Sequence, residues 1–402
     1  MKTQIIREDL AQAAEILRRG GLVAVPTETV YGLAGNGLDE EAVRQIYEVK
    51  GRPEVKPLAL MVPDAGEIEY YCLEVPEAAK ALAEKFWPGP LSIVLKAKTG
   101  IVPDIVRAGG ETVSLRCPDH PMTLEALRLA ALPFAAPSAN PSGSPSPKTA
   151  EEVLGYFSGK IDAVIDGGPC GIGRESTILD MSRTPYRILR QGALPAEEIG
   201  EALRDSLFLI GITGPSGSGK TSALSVLERE GVLVLDCDAV YHELLEHDVE
   251  LLEALRAHWP EAFAGESLDR RKLGEIVFQD PKVLKQLNII THRFISREIM
   301  RRLTDFAMNG GRMAALDAIE LISSGLGAAC DCVIGVLADA EVRLSRIMNR
   351  DGISREAALL RIQAQKSDQY FIDSCDRVVY NNGSAAEFEQ IFMNTLEEIR
   401  NG

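Results

Sequence analysis

Residues 207–221 read LFLIGITGPSGSGKT, an apolar run that breaks into a glycine-rich turn and ends in Lys-Thr. The stretch matches G-x-x-x-x-G-K-[ST], with Gly214, Gly219, Lys220 and Thr221 at the fixed positions and Ser216, Gly217 and Ser218 between them. Glycines let successive backbone N–H groups curl around an anion, and the helix that follows turns its positive end toward it. Lys220 adds a point charge for nucleotide phosphates, and the Thr221 hydroxyl is placed to ligate magnesium. Without a ligand the same residues make only a tight turn.

Outward from this loop, helical spacing continues to about Glu230, and Val232–Leu235 then forms a second apolar strand that delivers Asp236 and Asp238. In a doubly wound sheet the carboxyl ends of the strands face the ligand, so an acid there accepts a hydroxyl proton or holds magnesium. Asp238 is the candidate base. Further strands are expected at Met313–Leu316, Val333–Ala338 and Arg377–Tyr380 with helices between them. The expected fold is therefore α/β, with a mostly parallel five-stranded sheet. Between the last two strands, Arg343, Arg346 and Arg350 share a helical face, followed by Arg361 and Gln365 on the next helix. A solvated face would explain them. They also fall where a phosphoryl-transfer enzyme carries a helical lid, whose guanidinium groups close over phosphate.

The chain has 402 residues, more than one hydrophobic core usually organises, and the loop lies near its midpoint. Two domains are expected, 1–205 and 206–402. No apolar run approaches the roughly 20 residues that span a bilayer, which argues against a membrane protein. The N-terminus lacks the apolar core of a signal peptide, and seven cysteines follow no framework. Cys330 and Cys332 form a C-x-C pair with no second pair nearby, which suits small packed side chains better than zinc. The expected setting is reducing and cytoplasmic. Lys and Arg number 22 against 29 Asp and Glu up to residue 205, and 21 against 30 beyond it, so both halves are acidic. That sign opposes broad attachment to DNA or RNA and makes local cationic clusters conspicuous.

In the first half, Asp9 precedes Leu10, Ala13, Ala14 and Leu17 at helical spacing, and Gly20 and Gly21 stop the pattern. LVAVPTETVYGLAGNG follows, a buried-type strand from Leu22 to Val25 and a polar turn, Thr27-Glu28-Thr29, which suits either ligand contact or a plain hairpin. A helix from Asp39 to Val49 leads into KGRPEVKPL, where Lys50, Arg52 and Lys56 cluster. They complement the helix dipole, and Pro53 and Pro57 also stiffen the loop enough to hold phosphate or carboxylate at little ordering cost. Near Phe134–Ala136, Ser138 and Asn140 are confined between Pro137 and Pro141. The remaining short apolar runs imply a twisted mixed sheet.

The blocks PTETVYGL, KGRPEVKPL, WPGPLS, SLRCP, SAN, DGG with ESTILD, and LRQG, spread over roughly residues 5–200, resemble the threonylcarbamoyl-adenylate synthase family with its YrdC-like fold. The family's lysine, arginine, serine and asparagine fall on Lys50, Arg52, Ser138 and Asn140. The resemblance implies condensation of L-threonine, bicarbonate and ATP to threonylcarbamoyl-AMP with release of pyrophosphate. That is the first step of a tRNA adenosine modification, with tRNA or tRNA-modification proteins downstream. Lys50, Arg52 and Lys56 would then neutralise triphosphate and carboxylate charge, Ser138 and Asn140 would fix the nucleotide or substrate, and Thr27 would line the threonine pocket. Arg116 and Arg190 would be further phosphate contacts. A carbamate oxygen attacks the α-phosphorus directly, so no covalent nucleophile is needed. Magnesium is expected with ATP.

Across residues 207–400, GPSGSGKT, DCD, DRRKLGEIVF, LNIITH, the segment ending in RIQAQ, and DRVVYNNGS resemble dephospho-CoA kinase, which phosphorylates the ribose 3′-hydroxyl of dephospho-CoA with ATP. The resemblance makes Asp238 the base, gives Lys220 and Thr221 the phosphates and magnesium, and gives the lid arginines the transferring group. Asp236 and Asp317 would lie on the substrate side. Two places depart from the family pattern. His292-Arg293 stands where His-Pro is usual, and DAIELIS from Asp317 puts Ile319, Glu320 and Ser323 at proline, leucine and glutamate positions. These departures keep a second reading open, in which the loop domain takes a different acceptor or only senses nucleotide or CoA.

Overall fold

The structure, a computed structural model, describes residues 2–318, 321–323 and 325–401. The chain divides into two compact units whose main boundary falls between Ser206 and Leu207.

The first unit contains β1 (Gln4–Ile6), β2 (Val23–Val25), β3 (Gly32–Asn36), β4 (Ala59–Met61), β5 (Leu91–Lys96), β6 (Thr112–Arg116), β7 (Phe134–Ala135), β8 (Ala163–Ile165), β9 (Thr177–Asp180) and β10 (Arg187–Arg190). They form one mixed sheet in the order β1-β8-β2-β3-β7-β4-β6-β5-β9-β10. Helices cover it where the sequence periodicity places them. Leu10–Arg18 starts at Asp9, whose side chain accepts the Gln12 N–H at 3.2 Å, and buries Leu10, Ala13, Ala14 and Leu17. Glu40–Lys50 starts at Asp39, which accepts the Glu41 N–H at 3.0 Å. It stops at Gly51, whose left-handed φ of 58° suits a residue without Cβ.

Strand direction brings distant residues to one edge of this sheet. Arg116 is the last residue of β6, and β5 runs antiparallel beside it, so Ser92 near the start of β5 lies at the same edge. β9 is parallel to β5, which adds Ser176 just before its first residue; β10 is antiparallel to β9, so its last residue, Arg190, returns there. On the other side of β6, parallel β4 sets Met61 opposite Arg116.

The second unit contains β11 (Phe208–Thr213), β12 (Leu233–Asp236), a small hairpin of β13 (Phe263–Ala264) and β14 (Ser267–Leu268), then β15 (Met313–Asp317), β16 (Cys332–Leu337) and β17 (Arg377–Tyr380). The main sheet has the order β12-β15-β11-β16-β17, and every pairing in it is parallel. Burial on both faces explains the near-continuous apolar strands. Ile210 and Ile212 of β11 and Ile334 and Val336 of β16 are fully buried among Val226, Leu227, Phe388, Phe392 and Leu396. Cys332 packs in this core as a small apolar side chain. The helix Lys220–Arg229 follows the glycine loop directly. Among the described residues, no helix is long and apolar enough to cross a membrane.

Candidate functional site

Each unit carries its own site. In the first, the strand edge described above opens into a cleft lined by Arg52, Arg116, Ser138, Glu175, Ser176 and Arg190, with Tyr31, Gly32 and Met61 on its apolar side. Three guanidinium groups from positions 52, 116 and 190 therefore meet in one place. Each is fixed by neighbours. Arg52 donates from Nη2 to the Pro57 carbonyl at 3.0 Å and from Nε to that of Lys56 at 3.3 Å. Arg116, 6% exposed, donates from Nε to Gly89 O at 3.2 Å and from Nη2 to Glu28 Oε1 at 2.6 Å and Thr29 Oγ1 at 2.8 Å. Glu28 in turn accepts the Asp119 N–H at 3.0 Å, so the carboxylate that pairs with the arginine is itself held in place. Arg190 donates to the Ser176 carbonyl at 2.8 and 3.1 Å, and the Ser176 and Ser92 hydroxyls lie 2.9 Å apart. Burial pushes the pKa of both Arg52 and Arg190 down, the cost of holding cations in a partly dry cleft.

Ser138 reaches the cleft because its segment bridges to Gly32, opposite the start of β3. Lys50 does not line the cleft. It is 3% exposed and lies behind Ser138, donating from Nζ to the carbonyls of both Ser138 and Asn140. Burial, with Arg52 as a lesser cause, lowers its pKa to about 7. The Asn140 side chain donates to Pro141 O at 3.0 Å and Ser144 O at 2.6 Å, while its Oδ1 is buried without a protein partner. Lys50 and Asn140 thus shape the 138–144 loop from within. Lys56 is exposed and outside the cleft lining. Thr27 is also outside it: fully buried, its hydroxyl donates to Val30 O at 2.7 Å and accepts the N–H groups of Thr29 and Val30. It ties the polar turn together, and the turn presents Glu28 to Arg116. The sequence reading placed Glu28 in a polar turn and Ser92, Glu175 and Ser176 within quoted blocks, but gave none of the four a role of its own. Glu28 did carry a signal, as the only charged residue between Leu22 and Leu38.

In the second unit, Gly214, with φ 144°, lies so close to the Val336 carbonyl that any Cβ would collide with it, and a Cβ on Gly219 would strike the Asn381 amide. Lys220 Nζ donates back to the Gly214 carbonyl at 2.8 Å. Burial lowers its pKa, and Asp317 at the end of β15 opposes that shift. Asp317 itself is raised by burial, with Lys220 pulling it the other way. Asp236 is opposite Asp317 in register, and its Oδ1 accepts the N–H groups of Asp238 at 2.9 Å and Ala239 at 3.0 Å. It is the cap of the helix Cys237–His247 and so fixes Asp238 in the first turn.

Asp238 lines a cavity of about 740 Å³ whose other walls are mainly apolar. Leu245, Leu273, Leu287 and Ile299 come from the helices Cys237–His247, Arg270–Val277 and Pro281–Met308, and His242, Arg270, Asn288 and His292 are among the polar residues between them. Burial raises the Asp238 pKa, reinforced by the neighbouring charge of Asp236 and opposed by His242. Asp236 and Asp317 do not line this cavity. His292, one of the two departures from the kinase pattern, does; Arg293 beside it is exposed. Ile319 and Glu320 lie outside the described residues, and Ser323 is exposed.

The four arginines expected on a lid separate. Arg343 and Arg346, on the helix Ala340–Asp351, donate to carbonyls of the glycine loop; Arg350 reaches the Ser216 hydroxyl at 3.3 Å; Arg361 is exposed and pairs with Asp351. Gln365 and Asn381 bracket the same loop, and Asn381 carried a sequence signal in the NNG that follows the last strand.

Known proteins match each unit separately. A family model of the Sua5/YciO/YrdC group, described as telomere recombination, matches residues 15–192, and one described as dephospho-CoA kinase matches residues 208–387. A putative threonylcarbamoyl-AMP synthase of Methanocaldococcus jannaschii is 37% identical over 50% of this chain and 98% of its own length. A dephospho-CoA kinase of Corynebacterium glutamicum is 33% identical over 48% of this chain and 100% of its own length. The first unit belongs to the Sua5/YciO/YrdC family and the second to the dephospho-CoA kinase family. A threonylcarbamoyl-AMP synthase of Pyrococcus abyssi is 48% identical to the Sua5/YciO/YrdC unit, over 48% of this chain. The present chain spans 56% of that protein, and 55% of the similar Bacillus subtilis synthase, about half the length of each. The join between the two family matches lies at residues 193–207, where the two units divide.

Proposed function

We propose that the chain is a bifunctional enzyme: a threonylcarbamoyl-AMP synthase in its first unit and a dephospho-CoA kinase in its second. For the first activity, the supporting observation is the meeting of Arg52, Arg116 and Arg190 around Ser138 and Ser176. Three fixed cations suit a triphosphate and a carboxylate. In the reaction, the amine of L-threonine and bicarbonate lose water to give a carbamate, whose oxygen attacks the α-phosphorus of ATP, and pyrophosphate leaves. The arginines hold the charge that builds on the phosphates, and preorientation by Glu28, Gly89 and Ser176 lowers the reorganisation needed at that moment. Glu175 is the one carboxylate on the cleft lining among the described residues and is bound to Ser146 at 2.7 Å, so the cleft offers no metal cage of its own. Magnesium would arrive with the nucleotide.

For the second activity, the carrying observation is that Asp238 stands on the wall of the large apolar cavity, in the helix that follows the strand carrying Asp236. Asp238 takes the proton of the ribose 3′-hydroxyl of dephospho-CoA, the oxygen attacks the γ-phosphorus, and ADP leaves. A carboxylate raised by burial and a neighbouring charge is a stronger base than an exposed one. The Thr221 hydroxyl and the Asp236 and Asp317 carboxylates are hard oxygen donors suited to magnesium, which would supply charge neutralisation on the phosphates. The apolar walls suit the uncharged arm of a CoA-type acceptor. A cytoplasmic setting, and tRNA or tRNA-modification proteins as downstream partners, accompany this reading.

The test is mass spectrometry of two reactions of the full chain: ATP and magnesium with dephospho-CoA, and with L-threonine plus bicarbonate. CoA should vanish with Lys220→Ala alone and threonylcarbamoyl-AMP with Arg52→Ala alone. No CoA from the parent protein would leave the loop domain with a different acceptor or a sensing role, and no threonylcarbamoyl-AMP would remove the synthase.

A further inference from the structure

The contacts around the glycine loop give the lid arginines another task. Arg343 Nε donates to the Ser216 carbonyl at 3.1 Å, and Arg346 Nη1 to those of Gly217 at 3.3 Å and Ser218 at 3.2 Å. In a trans peptide the C=O of one residue and the N–H of the next point opposite ways. Holding these three carbonyls outward therefore turns the N–H groups of Gly217, Ser218 and Gly219 to the other side, where an anion nest forms. The Ser218 N–H makes a long bond of 3.3 Å to Pro215 O. One side chain closes the bracket. Gln365 Oε1 accepts both the Ser216 N–H and Arg343 Nη2, each at 2.9 Å, and Asp368 balances Arg343 at 3.2 Å. Arg343 is only 4% exposed, and its backbone packs so near Gly217 that a Cβ there would press on it.

We propose that Gln365 is a positioning residue. With Arg343 and Arg346, it presets the phosphate loop from its outer side, so the segment 340–374 sets ATP affinity instead of stabilising the transferring phosphoryl group through these two arginines. Arg350 is exposed and meets the loop at the Ser216 hydroxyl instead of at its carbonyls. The inference rests on the kinase reading for its turnover readout but not for its binding readout.

The experiment compares the full chain with its Gln365→Ala and Gln365→Glu variants. Glutamate keeps an oxygen that accepts from both Ser216 and Arg343. Deuterium exchange of the peptide around 214–221, titrated with ATP, reads this loop apart from the nucleotide cleft of the first unit. Gln365→Ala should speed exchange there without nucleotide, and should raise both the ATP midpoint and the KM for ATP by about tenfold, the scale of one lost hydrogen bond in such a network. The kcat and the KM for dephospho-CoA should hold, and Gln365→Glu should restore most of the ATP affinity. An unchanged ATP midpoint in Gln365→Ala would overturn the proposal. So would a fall in kcat at constant KM for ATP, which would mark a contact made in the transition state. If the parent protein forms no CoA but the ATP midpoint still shifts, the kinase reading fails and the positioning role stands.

Discussion

On the proposed reading, the two units meet one demand, holding a polyphosphate, with opposite materials. The second unit uses consecutive backbone groups from 214 to 221, braced from outside by Arg343 and Arg346. The first aims side chains inward from positions 52, 116 and 190 and braces its loop from within by Lys50. The braces differ in charge balance. Arg343 has Asp368 as counter-ion, whereas Lys50 has carbonyl oxygens only and no ion pair among the described residues. The arginine brace of the second unit therefore stays charged across the ordinary pH range, whereas the brace of the first is a lysine whose proton is loosely held.

The sharpest way to break the comparison is in the second unit. Asp238→Asn should lower the rate of CoA formation by on the order of a hundredfold or more, with the ATP-dependent exchange protection of the loop intact, because a base is lost and the nest is not. Equal loss of both would make Asp238 part of the nest. Next in size, Lys50→Ala leaves the buried Asn140 carbonyl without its donor and the Ser138 carbonyl with only the Asn140 N–H, at about 1–3 kcal/mol, so threonine-dependent pyrophosphate release should fall about tenfold to a hundredfold. Undiminished release would mean that the 138–144 loop holds itself. Glu28→Gln keeps the shape but frees Arg116 from its ion pair, and release should drop by a smaller factor, about threefold to tenfold. Rescue by high salt would contradict a short-range orienting role.

The smallest effect is a pH slope. The Lys50 pKa falls to about 7 from the ordinary 10.5, so between those values the unfolded chain keeps a proton that the folded first unit has lost. Its penalty is full below pH 7 and is relieved as pH rises, which makes the first unit more stable toward pH 10, by at most about 1.4 kcal/mol per pH unit. Denaturant midpoints from pH 7 to 9.5, compared with Lys50→Met, isolate this slope. Identical slopes would show that Lys50 keeps its proton.

How much of this was legible in the sequence follows from the same contrast. The glycine loop and the β12 strand end are local chemistry, so 207–221 and Asp236 with Asp238 could be read directly, as could the strands at 313, 333 and 377. The first cleft exists only after antiparallel and parallel pairings carry Arg116, Ser92, Ser176 and Arg190 to one edge, and no spacing along the chain encodes that. The cation cluster and the flanking prolines singled out Lys50, Arg52, Ser138 and Asn140, and the resemblance gave them roles, but neither showed that Lys50 would sit behind the cleft. Thr27 shows the limit in reverse. A threonine in a polar turn reads as a ligand contact, and its hydroxyl is spent on the turn itself.

The central place of β11 also has a consequence for synthesis. This strand is the first of its sheet to leave the ribosome, yet both of its neighbours, β15 and β16, are encoded about a hundred residues later. At ordinary elongation rates that delay is on the order of ten seconds, during which the apolar strand has two open edges and nothing to pair with. The ten-stranded sheet of the first unit is complete by then. A nascent chain halted between residues 240 and 300 would present the complete sheet of the first unit trailing an exposed, sticky strand, which makes that interval the one where holding chaperones matter most for this protein.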